Sequence, residues 1–199
     1  MIEFKLFFAL MSYYFVMFVT PGPNNAMLTA SGIKFGFKKT LPHLLGIPIG
    51  HTIQISLVCF GLGSIFKEYP SIQIYLKWIC FFYLLYLGWK ILGSFSNAEK
   101  ESGRPLKLYE AAIFQFINPK AWVVALTGAT AFFPSNENFL VATAFVALTA
   151  SFVCFPSICL WAAFGTSIKL IIKNDKVKKI IEYLLAVLLL ITAIIVVID

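Results

Sequence analysis

The chain has 199 residues, 60% of them hydrophobic and only 13% charged, with a mean hydropathy of +0.86. A soluble domain carries about twice that charged fraction, so too few polar groups remain to coat a globule in water. The net charge of +7, from 16 Lys+Arg against 9 Asp+Glu, falls between apolar blocks. It reads as loop charge that orients a membrane protein rather than as a nucleic-acid surface.

Six apolar blocks meet the roughly 20 residues that a helix needs to cross a hydrocarbon core. They run Leu6–Ile33, Leu41–Phe66, Ile72–Phe95, Tyr109–Phe133, Phe139–Ile168 and Ile180–Ile198. The first resembles a signal peptide over Phe4–Val19. Glu3 beside Lys5, the lack of a small-x-small cleavage site and five further blocks predict a retained span instead. The first and fifth blocks are long enough to be tilted or broken.

Lys34, Lys38 and Lys39 follow block one, Lys100, Arg104 and Lys107 follow block three, and Lys169, Lys173, Lys176, Lys178 and Lys179 follow block five. The connection after block two holds only Lys67, and that after block four holds no basic residue. The positive-inside rule therefore places the odd connections in the cytoplasm and both termini outside. The expected location is the cell inner (cytoplasmic) membrane, with a multi-pass chain.

The polar stretch Ser96–Leu108 divides the blocks three and three. An odd number of spans per half makes the second half enter from the opposite side, so any structural repeat is inverted, as in many secondary transporters. The expected fold is all-α and integral to the membrane: six transmembrane helices as two inverted three-helix repeats, with helices one and four broken. One transporter domain over 1–199 is expected, with repeat one at about 1–95, the loop at about 96–108 and repeat two at about 109–199.

The breaks come from proline chemistry. In Thr20-Pro21-Gly22-Pro23-Asn24-Asn25, Pro21 and Pro23 cannot donate to the carbonyls of Met17 and Val19, and Gly22 permits a bend. Pro23 suits the first position of a new helix, leaving the amides that follow without intrahelical partners. In block four, Pro119 frees the carbonyl of Gln115, and Asn118 is a good N-cap. Pro23 lies eleven residues from Lys34 and Pro119 ten from Tyr109, roughly 15 Å from the same side at 1.5 Å per residue. Two positive helix ends should thus meet near the midplane, where a carboxylate is a natural guest. The plainer alternative is a pair of packing kinks.

Lys120 lies inside the fourth block, and an intramembrane cation is expensive enough to imply a function. It would pair with a substrate carboxylate, stand where another transporter holds sodium, or cap neighbouring carbonyls. His51, in Gly46-Ile-Pro-Ile-Gly50-His51, is either a proton-coupling group or a neutral packing histidine. Gly46 and Gly50 permit close helix contact, and His43 carries no assigned role. Gln54, Gln115, Asn25 and Thr127 are further polar groups at membrane depth, and Pro48 and Pro156 add bends. No Asp or Glu lies deep in a block, Glu110 and Glu182 being near ends, so neutral substrates fit better than lysine or arginine. Cys59, Cys80, Cys154 and Cys159 form no C-x-x-C pair and are expected to pack in the membrane.

With T-P-G-P-N at 20–24, G-x-x-x-G at 46–50 and F-x-N-P-K at 116–120, the chain resembles the LysE/RhtB family of amino-acid exporters over its whole length. Asn24-Asn25 and Gln115-Phe116 are most similar to the cysteine/O-acetylserine exporter branch. The resemblance implies efflux of small neutral amino acids or derivatives (cysteine, O-acetylserine, homoserine or threonine), driven by proton antiport with alternating access. Many lysine exporters of the family carry an aspartate where this chain has His51, which argues against basic substrates. The expected substrate-binding residues are Thr20, Pro21, Gly22, Pro23, Asn24, Asn25, Gln115, Asn118, Pro119 and Lys120, with His51 coupling protons. The expected partners are a small amino acid, protons and the lipid bilayer, with no nucleic acid and no cofactor or metal; a homodimer is compatible. Neither H-E-x-x-H nor an aspartate pair is present, so an enzyme is not expected. A basic amino acid exporter, a channel or a structural membrane subunit are the alternatives.

Overall fold

The computed structural model describes residues 2–69, 71–92, 104–171 and 174–198. Every element among them is helical. Block one becomes two helices, α1 (Phe4–Val19) and α2 (Pro23–Phe35), bent by 55° at the break. The break falls where the prolines require it: Thr20 and Gly22 are extended, and Pro23 is the first residue of α2. Block two is α3 (Phe37–Leu57), which runs unbroken through Pro42 and Pro48. It continues into a π-turn at Val58–Leu62, where Gly61 takes φ 106°, and then into α4 (Gly63–Glu68). A positive φ of that size suits only glycine. Apolar periodicity carries no mark of this bend.

Block three is α5 (Ser71–Ile91); its end beyond Leu92, most of the polar stretch Ser96–Leu108, and Lys173 lie outside the described residues. Block four is divided at Asn118 into α6 (Leu108–Ile117) and α7 (Pro119–Ala131). Block five is one continuous helix, α8 (Phe139–Ile171), with Pro156 inside it. The break allowed there by its length does not form. Ser157 instead bonds the Val153 carbonyl within the turn around Pro156. Block six is α9 (Asp175–Ile198).

Three helical stretches are long and apolar enough to cross a membrane: Phe37–Leu62, Phe139–Ile168 and Lys179–Ile198. The bent α1–α2 pair makes a fourth if counted as one span, while Ile74–Trp89 and Leu108–Ile117 are apolar but shorter. The chain is therefore a multi-pass membrane protein in its described part. Its outer faces agree, because Trp78, Phe82 and Trp89 on α5 and Tyr183, Leu184 and Ile191 on α9 are all exposed. A patch of that kind would be a liability in water and suits hydrocarbon.

The main core packs α1, α2 and α3 around α8, with α6 and α7 joining it chiefly through α3. A second cluster joins α5 and α9 to α2 and α6 through Met27, Leu84, Phe114 and Leu189. The helices approach most closely where glycine removes a side chain. A Cβ on Gly50 of α3 would lie 2.5 Å from the Ala112 carbonyl of α6, and one on Gly46 would strike the Leu108 carbonyl. The G-x-x-x-G pair thus sets the α3–α6 contact, which holds one half of the chain against the other.

Candidate functional site

Both breaks open onto one small cavity. Its lining includes Gly22, Pro23, Asn24 and Asn25 from the first break, Asn118, Lys120 and Ala121 from the second, and His51 from α3. Met17, Phe18, Val124 and Ile158 complete it with apolar surface. The cavity holds about 20 Å³, room for about one water and no amino acid.

Two sets of bonds join the breaks across the cavity. The Lys120 ammonium donates to the Thr20 carbonyl (3.0 Å), the Thr20 hydroxyl (2.9 Å) and the Pro21 carbonyl (3.1 Å). It sits at the C-terminal end of α1, where the helix dipole favours a cation. Of the three roles open to Lys120, the capping of carbonyls is the one seen in this conformation. Gly22 leaves room for it, since a Cβ there would lie 2.9 Å from Lys120 Cδ. The second set is a reciprocal amide pair: Asn24 Nδ2 donates to Gln115 Oε1 at 2.8 Å, and Gln115 Nε2 to Asn24 Oδ1 at 3.2 Å.

The carbonyls released by proline are largely satisfied by side chains from elsewhere. Thr20 Oγ1 donates to the Met17 carbonyl at 3.1 Å, and Trp161 Nε1 of α8 to the Val19 carbonyl at 3.1 Å. Gln54 Nε2 of α3 donates to the Gln115 carbonyl at 3.0 Å. Asn25 turns back onto the carbonyls of Phe18 (2.8 Å) and Thr20 (2.7 Å), which fixes the bend between α1 and α2. An unpaired carbonyl at this depth costs several kcal/mol on the order of a lost hydrogen bond or more, which explains why each break recruits such donors. At the start of α7 the Asn118 side chain accepts from the Lys120 amide at 3.2 Å, as an N-cap should.

His51 is 2% exposed, stacks edge-on to Phe18 with centroids 5.1 Å apart, and has no partner for Nδ1 among the described residues. Of the residues singled out in the sequence, Gly22, Pro23, Asn24, Asn25, His51, Asn118 and Lys120 line the cavity together. Thr20 and Pro21 hold Lys120 instead, Gln115 stands behind Asn24, and Pro119 shapes the backbone. Trp161 was not visible from sequence, because its role depends on a partner 142 residues away. A tryptophan in the middle of an apolar block was the one available hint.

Residues 15–199 match the family described as LysE type translocator. The chain belongs to the LysE family. Among its relatives is the cysteine/O-acetylserine efflux protein of Salmonella paratyphi A, 29% identical over 161 residues, or 79% of this chain and 80% of the relative. The protein of the same description from Escherichia coli K12 is 27% identical over 159 residues, again 79% and 80% of the two chains. No solved structure matches. As a LysE translocator, the protein is a transporter and not an enzyme.

Proposed function

We propose that this LysE protein exports small neutral amino acids or close derivatives, of the cysteine and O-acetylserine kind, by proton-coupled antiport with alternating access. The observation that carries this reading is a small cavity lined by both helix breaks, holding a cation and no carboxylate among its lining residues. A helix start on each side and Lys120 between them suit a substrate carboxylate. No fixed anion there would receive a lysine or arginine side chain. The names of the relatives agree with that choice.

The cavity is bounded by residues of both halves, so rocking one half against the other would change which side it faces. In this reading α5 and the α6–α7 pair are the third and fourth of six spans, the halves are inverted repeats of a single transporter domain, and His51 carries the coupling proton. The end bearing Lys34, Lys38, Lys39, Arg104 and Lys107 is cytoplasmic, in the inner membrane, with both termini outside.

Counterflow in proteoliposomes tests the reading. Vesicles preloaded with unlabelled O-acetylserine should accumulate labelled O-acetylserine or cysteine and ignore labelled lysine. Lysine exchange alone, or flux that never saturates, would replace this reading with a basic amino acid exporter or a pore.

A further inference from the structure

A second and larger cavity of about 210 Å³ lies along α2 from the central one, toward the basic end of the molecule. Ser31 and Lys34 of α2, His43 of α3, Tyr83 of α5 and Arg104 line it, with Leu189 of α9 closing one side. Two features set it apart from a gap in packing.

The first is His43. It is 1% exposed, and neither ring nitrogen has a hydrogen-bond partner among the described residues. A neutral imidazole offers one donor and one acceptor, and leaving both unpaired in a buried wall costs more than an apolar residue would. A zwitterionic amino acid brings an acceptor carboxylate and a donor ammonium, the complementary pair. Lys34 adds positive charge to the lining, which draws in the carboxylate, whatever contacts it also makes. Arg104 is already held by Glu110, with Nη1 and Nη2 at 2.7 and 2.5 Å from its carboxylate.

The second is continuity. Met27 lines this larger cavity, and Asn24, one helical turn away on α2, lines the central one. Asn24 in turn is paired with Gln115 of α6. Opening this pair requires that water or substrate take over the bonds of both amides.

We propose that this vestibule is an entry site for the zwitterionic amino acid on the basic end of the protein, with His43 as its binding group and the Asn24–Gln115 pair as the gate to the centre. The proposal rests on the export reading above for its direction, though not for the binding itself.

The test uses the full chain in liposomes with O-acetyl-L-serine as probe. His43→Leu should raise the KM for entry from the basic end about fivefold, the order expected for a lost buried hydrogen bond, and leave the KM from the opposite face unchanged. His43→Gln, which keeps a donor and an acceptor, should recover most of the loss. Equal rises on both faces would make His43 a packing residue, and no change on either face would also overturn the proposal. Separately, Ala30→Cys, in the wall of the vestibule, should react with a small charged thiol reagent, and O-acetyl-L-serine should protect it. Protection without any transport by the unaltered chain would keep the site and reject the export reading. No protection would reject the site.

Discussion

The Lys120 ammonium donates to both the carbonyl and the hydroxyl of Thr20, a hundred residues earlier, at 3.0 and 2.9 Å. The start of α7 is thereby tied to the end of α1, which links the two helix breaks directly. A substrate carboxylate entering the cavity must share or displace these bonds.

Lys120→Met should therefore do two things. It removes charge-assisted bonds whose net worth is about 1–3 kcal/mol, lowering the Tm of the purified protein by several degrees, and it should abolish exchange. Lost exchange with an unchanged Tm would mean that the tie to Thr20 contributes nothing and that the lysine acts on substrate alone.

The Gln115 carbonyl accepts from Gln54 Nε2 because Pro119 cannot donate to it. Gln54→Leu should destabilise by about 1–3 kcal/mol by leaving that carbonyl unpaired. Pro119→Ala restores a backbone donor, so it should abolish transport while keeping or raising Tm. The double variant should be more stable than Gln54→Leu alone. Additive losses of Tm would show that the two donors do not compete for one acceptor.

Gly50 faces the Ala112 carbonyl too closely for a side chain, at 2.5 Å from a built Cβ. Gly50→Ala should push α3 from α6 and cost about 1–3 kcal/mol by overpacking, read as a lower Tm in detergent. An equally stable variant would mean that α3 and α6 stand further apart than described.

His51 is buried beside Phe18 and lines the same cavity as Lys120. If it carries the coupling proton, His51→Gln should retain exchange of substrate for substrate and lose uphill efflux driven by a pH gradient. Gradient-driven efflux at the normal rate would return His51 to packing.

The basic end should face the cytoplasm. Lys38→Cys should react with a membrane-impermeant thiol reagent only after lysis of spheroplasts, and Asn136→Cys should react in intact ones; both positions are exposed. The opposite pattern would invert the orientation.

The sequence by itself determined the membrane character, the extent of most helices and the positions of both breaks. Those are local properties: a proline removes a donor wherever it stands, and Pro23 and Pro119 each begin a helix as their chemistry requires. The need for donors at the freed carbonyls was equally legible. Which side chains answer that need was decided only by the tertiary structure. Gln54 reaches Gln115 across 61 residues, Lys120 reaches Thr20 across 100, and Trp161 reaches Val19 across 142. Composition cannot tell which way a polar side chain points on an apolar helix, so Lys120 read equally well as a substrate ligand or a carbonyl cap. The π-turn at Val58–Leu62 and the unbroken α8 were hidden for a related reason. Glycine and proline only permit a bend within a membrane helix, and packing against neighbouring helices decides whether it forms.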